Sequence, residues 1–230
     1  TEKRVAPAVK TARPKALIPV FPGTNCEYDT QRALLEAGAD AEQFIIRNLT
    51  SADVADSVER FAKAVKDSQI IVIPGGFSGG DEPDGSAKLI TAFFRNAAVK
   101  EQVTDLLEKR DGLMLGVCNG FQALIKLGLV PYGKIMDTDA DFPTLTYNVI
   151  GRHQSRLVRT RIASNKSPWL AGTEGAKALL IMNAIFGVVY GAYTLFWMPE
   201  TLPRYYDENR ICNFAQGGFH IHIPGVYYNN

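Results

Sequence analysis

Cys118 is the residue best placed to do chemistry. In Leu113-Met114-Leu115-Gly116-Val117-Cys118-Asn119-Gly120-Phe121-Gln122 it stands between an apolar run and a helical pattern, with a glycine two residues away on either side. A residue wedged between a buried strand and a helix must make a sharp, often strained turn, which small neighbours such as Gly116 and Gly120 permit. The helix that follows offers unpaired N–H groups and the positive end of its dipole, and both lower a thiol pKa and stabilise a thiolate. The N–H of Asn119 can face an oxyanion from the same place. The competing reading is a small buried hydrophobe, the usual state of a reduced cysteine. The strand before and the helix after favour a nucleophile.

A second loop of the same kind follows Ile70-Ile71-Val72-Ile73, where the chain empties into Pro74-Gly75-Gly76. Without Cβ atoms, Gly75 and Gly76 let backbone donors approach a ligand closely and supply the other half of an oxyanion site. Taken alone they are an ordinary strand-ending turn. Two such loops at sheet ends are harder to dismiss. Cys26, after Pro22-Gly23-Thr24-Asn25, competes formally as nucleophile but reads as a packed thiol near the site. Cys212 lies among polar residues with no strand-to-helix context.

The elements that would position these groups alternate regularly. Ala16 to Phe21 is a buried strand closed by Pro22-Gly23, and Asn25 to Ala37 follows a helical period. Gln43 to Ile46 is a second strand. Ser51 to Val65 is an amphipathic helix with Thr50 or Ser51 as N-cap. Ile70 to Ile73, aliphatic and β-branched, is a central parallel strand. Leu89 to Leu107 gives one long or two shorter helices, Gly112 to Val117 another buried strand, and Gly120 to Leu127 another helix. That order predicts an α/β, doubly wound, mostly parallel sheet. In such sheets ligands bind beyond the carboxyl ends of the strands, where Gly75, Gly76 and Cys118 all fall.

The totals narrow the classes. The chain has 230 residues, enough for one α/β core. With 21% charged residues and a formal net charge of +1, it has neither a basic nucleic-acid surface nor an acidic tail, so no nucleic-acid partner is expected. Three cysteines without a CxxC pair fit a reducing, cytoplasmic setting and give no metal site. Residues 1–14 mix Lys and Arg with Ala and Pro, have no apolar core, and read as a linker. No fixed-period repeat and no low-complexity segment is visible.

The motifs together resemble the class I glutamine amidotransferase domain of phosphoribosylformylglycinamidine synthase, or formylglycinamide ribonucleotide (FGAR) amidotransferase. The resemblance runs from about Lys15 to Leu170. It is carried by Phe21-Pro22-Gly23-Thr24-Asn25-Cys26-Glu27, by the stretch from Pro74 to Ser86, and by Gly116-Val117-Cys118-Asn119-Gly120-Phe121-Gln122. Leu145-Thr146-Tyr147-Asn148 and Gly151-Arg152-His153-Gln154-Ser155 add to it. Gly-x-Cys-x-Gly alone marks the wider superfamily, whereas Gly-Gly-Phe-Ser-Gly-Gly-Asp-Glu-Pro-Asp-Gly-Ser is specific to this family. The resemblance implies a flavodoxin-like sheet over 15–230 and a γ-glutamyl thioester on Cys118. It also implies oxyanion donors near Gly76 and Asn119, and Gln122 helping to hold the bound glutamine. Ammonia would pass to a synthetase domain or subunit that amidates FGAR with ATP and Mg²⁺. No cofactor is expected in this domain, since neither a Walker A pattern nor a Rossmann glycine fingerprint occurs.

Two departures stand against the pattern. The family supplies its base in a His-Pro-Glu or His-Ser-Glu run near the C-terminus, and this chain has none. A general base must reach the thiol proton and is itself oriented by a third group. His153 belongs to a match that is not the base. That leaves His220 and His222, which lie at a suitable distance downstream and would share one face of a strand. No glutamate follows them, and their alternative is two partly exposed histidines on an edge strand. The family's His-Gly-Glu-Gly-Arg-Phe segment is also missing. In its place Ala178 to Met198 carries no charge and is long enough to span a bilayer, with a Gly187-xxx-Gly191 spacing. Asn183, Thr194 and two tyrosines interrupt it, so buried strands or a core helix are the better expectation. A change of frame after about Gly172 would account for both departures. The rival to an active glutaminase is a docking module that keeps the fold without a working triad. Thiol enzymes of the peptidase-like kind usually carry a histidine directly after the nucleophile, where this chain has Asn119.

Overall fold

In the computed structural model, which describes residues 11–77, 87–147, 156–161, 167, 169, 177–182 and 219–222, four strands form one parallel sheet. These are β1 (Lys15–Val20), β2 (Asp40–Ile45), β3 (Ile70–Ile73) and β4 (Leu113–Gly116), in the order β2-β1-β3-β4. The expected doubly wound parallel architecture is therefore observed, with the strand order of a flavodoxin-like sheet. β3 is central, as its unbroken β-branched run demands: Ile70 and Ile71 pair with Ala16 and Leu17 on one side, and Ile70 to Ile73 pair with Leu113 to Gly116 on the other. β2 starts three residues earlier than its apolar pattern suggested. Every residue from Lys15 to Val20 finds a partner from Asp40 to Ile45, and backbone pairing recruits Asp40 and Glu42 despite their charge.

Helices join the strands: α1 (Glu27–Glu36), α2 (Ser51–Lys66), α3 (Lys88–Arg95), α4 (Ala97–Glu108), α5 (Asn119–Leu127) and the short α6 (Leu129–Tyr132). The apolar stretch from Leu89 to Leu107 is two helices. Asn96 breaks it with an extended ψ of 135° while its side chain accepts from the N–H of Ala98. Alternation along β1 shows that the sheet is covered on both faces. Leu17 joins Phe44, Phe61, Phe93 and Phe94 in the larger core, while Ala16 and Ile18 face Ala39, Ala41 and Leu34 of α1. Phe61 sits at the centre of the larger core, with the rings of Phe44, Phe93 and Phe94 at 5.2, 5.4 and 5.6 Å. Each such buried ring contributes roughly 2–3 kcal/mol.

Just before β3 and β4, at the amino ends of the strands, one side chain gathers several backbone carbonyls. The Arg110 guanidinium donates to the carbonyls of Val65, Lys66 and Ser68 at 3.0, 2.8 and 2.9 Å, and its Nε donates to Asp105 at 3.0 Å. It thus adds donors to carbonyls at and just beyond the end of α2, where helical partners run out, although Val65 O also accepts from Ser68 N at 3.1 Å. The start of α2 carries a capping box. Thr50 Oγ1 accepts from the Asp53 N–H at 3.1 Å and Asp53 Oδ2 from the Thr50 N–H at 3.1 Å. Thr50→Ala is expected to lower stability by about 1 kcal/mol, read as a shifted urea midpoint at unchanged slope. An unmoved midpoint would mean the cap contributes nothing.

The chain divides into two compact units, and the sheet and its six helices lie in one of them. Beyond these, β5 (Thr144–Tyr147) pairs with β8 (Phe219–His222), and β6 (Arg156–Arg161) pairs antiparallel with β7 (Lys177–Met182). The uncharged segment from Ala178 thus begins in a strand. Among the described residues no helix is long and apolar enough to cross a membrane. Residues 183–198, with the Gly187 and Gly191 spacing, lie outside the described residues.

Candidate active site

Three loops meet at the carboxyl edge of the sheet, after β1, β3 and β4. The order β2-β1-β3-β4 makes the gap between β1 and β3 the point where the chain reverses its direction of winding, the usual ligand crevice of such sheets. The loops there are joined by backbone bonds. Phe77 N donates to Gly23 O at 3.0 Å, Asn25 N to Gly75 O at 3.4 Å, and Thr24 pairs with Gly76. Gly76 has φ +123°, and a Cβ on it would lie 2.5 Å from Gly23 O and 2.9 Å from Asn25 N. Only glycine fits there. Thr24 closes its own turn, accepting from Phe21 N at 3.1 Å through Oγ1 and donating its N–H to Phe21 O at 2.9 Å. The role of Thr24 in bracing Gly76 was not foreseen. Its signal was the parallel between Phe21-Pro22-Gly23 and Ile73-Pro74-Gly75, two apolar strands ending in the same Pro-Gly step.

Cys118 sits between β4 and α5 with φ 55° and ψ −112°, as the strand-to-helix turn requires. A non-glycine residue in this region stores of order 1–3 kcal/mol. The surrounding bonds fix it: Val117 N donates to Ile73 O at 3.0 Å, Gly120 N to Val117 O at 2.9 Å, and Gln122 N to Cys118 O at 3.0 Å. The flanking glycines have separate reasons. A Cβ on Gly116 would meet Gly120 O at 2.5 Å, and one on Gly120 would meet Ile73 O at 2.1 Å. The pattern Gly-x-Cys-x-Gly is thus a packing rule, letting α5 press its first turn onto β3 and β4. Asn119 opens α5, and Asn119 and Gln122 are only 3% and 6% exposed. Cys118 itself is half-buried rather than sunk in the core.

Cys26 lies in the same place. It precedes α1, and its thiol donates to Asn25 Oδ1 at 3.1 Å. Burial pushes its pKa above the usual thiol value, and the negative charges of Cys118, Asp29 and Glu27 push it the same way. Cys26 therefore stays a neutral thiol at neutral pH. Of the predicted residues, the structure brings Gly75, Gly76, Cys118, Asn119 and Gln122 together through β3, β4 and α5. His220 and His222 lie on the backbone of β8, and their side chains are outside the described residues, as are His153 and Cys212. Two surface cavities of about 620 and 580 Å³ lie elsewhere. One runs along β2 and α2 and the other along α4, and neither includes a residue of the Cys118 loop.

Comparison with known proteins adds an independent line. The family model of the CobB/CobQ-like glutamine amidotransferase domain matches residues 13–194. The chain is 33% identical over 190 residues to the phosphoribosylformylglycinamidine synthase subunit PurQ of Dehalococcoides mccartyi, covering 83% of this chain and 66% of that protein. The corresponding subunit of Rubrobacter xylanophilus is 31% identical over 192 residues, with 84% of this chain and 71% of that protein covered. The chain thus spans about two thirds of the length of these relatives. The solved structure of PurLQS from Thermotoga maritima superposes with a TM-score of 0.48 at 22% identity, covering 75% of this chain and 69% of that one.

Proposed function

Since the chain belongs to the family of CobB/CobQ-like glutamine amidotransferase domains, we propose that it hydrolyses glutamine through a thioester on Cys118 and supplies the ammonia for amidation of FGAR in purine biosynthesis. The single observation that carries the chemistry is the strained Cys118 turn at the head of α5, facing a glycine loop. The purine role rests on the names of the relatives.

In the proposed reaction the Cys118 thiolate adds to the side-chain carbonyl carbon of glutamine, forming a C–S bond and moving an electron pair to the oxygen. Backbone N–H groups of the Gly75-Gly76 loop and of Asn119 stabilise that oxyanion. The C–N bond then breaks, and the nitrogen leaves with a proton from the general acid as ammonia. Water, losing a proton to the same group now acting as base, attacks the γ-glutamyl thioester and releases glutamate and the thiol. We assign the proton carrier to His220 or His222 and the hold on bound glutamine to Gln122. ATP and Mg²⁺ would be bound by a synthetase domain or subunit, because this sequence carries no phosphate-binding glycine motif. We also place it in the cytoplasm, which three cysteines without a CxxC pair support.

A glutamine-mimicking electrophile such as a chloroketone tests the reading directly. It is expected to label Cys118 stoichiometrically, with glutamine protecting, as mapped by peptide mass spectrometry. The sequence also favours a second reading: the run His220-Ile221-His222-Ile223 lacks the glutamate of a triad, which would leave a docking module without an activated thiolate. Unlabelled Cys118 in folded protein would decide for that module.

A further inference from the structure

Gly75 is a contact that two thiols share. A Cβ on it would stand 3.1 Å from Cys118 Cβ and 3.7 Å from Cys26 Sγ. Both cysteines are half-buried, and neither is in a disulfide. The loop after β1 crosses toward β3, where Thr24 pairs with Gly76 and Asn25 N donates to Gly75 O. This fold brings the Cys26 sulfur and the Cys118 Cβ to the same glycine, at the head of α5. The residue between them has no side chain, so nothing at position 75 bars the sulfurs from meeting.

From this juxtaposition we infer that Cys26 and Cys118 form a peroxide-driven disulfide that closes the site reversibly. The Cys118 thiolate attacks one oxygen of hydrogen peroxide, the O–O bond breaks, and hydroxide leaves, giving a sulfenic acid on Cys118. The Cys26 sulfur then attacks the Cys118 sulfur. The S–O bond breaks as the S–S bond forms, and the departing hydroxide takes the Cys26 proton as water. Overall two thiols are oxidised and one peroxide is reduced to two waters. The order of events follows from the environments of the two sulfurs. Cys118 stands at the N-terminus of a nine-residue helix, whose dipole favours the thiolate. Cys26 is held protonated by burial and by neighbouring negative charge, so it is the resolving thiol rather than the first target. A resolving thiol this near spares Cys118 from the irreversible sulfinic state. That the disulfide would stop glutamine hydrolysis rests on the function proposed above; its formation does not.

The test treats the chain and its Cys26→Ser variant with equal doses of hydrogen peroxide and maps the peptides without reduction. In the unsubstituted chain a Cys26–Cys118 cross-linked peptide, two hydrogens lighter than its parts, is expected, and a dithiol reductant should return both thiols. Cys26→Ser should lose that peptide and instead give a dimedone adduct of the sulfenic acid, then sulfinic acid, on Cys118. Sulfinic acid on Cys118 beside an unmodified Cys26, a Cys118–Cys212 link, or an unoxidised Cys118 would each overturn the inference. Chloroketone labelling of untreated protein separates the two claims. Labelling without the cross-link sinks only the disulfide, and the cross-link without labelling sinks only the glutaminase.

Discussion

Glutamine hydrolysis is expected to fall by at least about a thousandfold when Cys118 is replaced by alanine, because the other thiol there, Cys26, is held protonated by burial and neighbouring negative charge and does not stand at the head of α5. The substitution is well suited to isolate chemistry from folding. Alanine accepts φ 55° no better and no worse than cysteine, so the strain of the turn is unchanged. Deleting one half-buried sulfur leaves the glycine contacts of α5 intact. Glutamate release by the chain alone and with a synthetase partner added is the measurement, and circular dichroism shows whether the variant keeps its helices. Turnover undiminished in a folded Cys118→Ala protein would refute the nucleophile and with it the function proposed here.

The second large effect is on stability. Gly120→Ala is expected to destabilise the protein by about 3 kcal/mol or more, since its Cβ would lie 2.1 Å from the Ile73 carbonyl oxygen and 2.8 Å from the carbon. The obstacle is backbone at the carboxyl end of the central strand, which cannot rotate away as a side chain would. Either α5 lifts from the sheet, carrying Cys118 with it, or β3 yields its pairing with β4. Gly133→Ala is the control. Its φ of +74° carries a conformational penalty of about 1 kcal/mol, but no atom lies within 4 Å of the added carbon. Equal urea midpoints for the two variants would show that close approach of α5 is not what Gly120 provides.

How far the sequence spoke for itself depended on whether the signal was local. Ile70 to Ile73 announced a central strand because β-branched residues buried on both faces leave no other place for such a run. The start of α2 was legible to within one residue, Thr50 or Ser51, because a cap is a local signal, and the structure gives the cap to Thr50. The turn at Cys118 was legible for the same reason, strand, glycine, thiol, glycine and helix being contiguous. The true start of β2 was hidden, since Asp40 and Glu42 enter the sheet through backbone pairing with β1 rather than through apolar character. Cys26 was legible as a thiol near the site, but its approach to Cys118 across Gly75 was hidden more deeply. It depends on β3 lying between β1 and β4, a relation of strand order that no spacing along the chain encodes. The histidines carried the weakest signal, with neither a glutamate nor a flanking helix to fix their direction.

Arg110 gives the molecule an anchored base and leaves its rim adaptable. Three carbonyls, from Val65, Lys66 and Ser68, converge on one guanidinium just before β3 and β4 begin. The amino ends of the central strands are therefore moored independently of the opposite end, where the thiols and glycine turns lie. Substitutions in those turns can retune affinity or turnover while the moorings keep the strands in register. Directed evolution of substrate preference should therefore accumulate changes in the loops that follow β1 and β3, and few around this arginine.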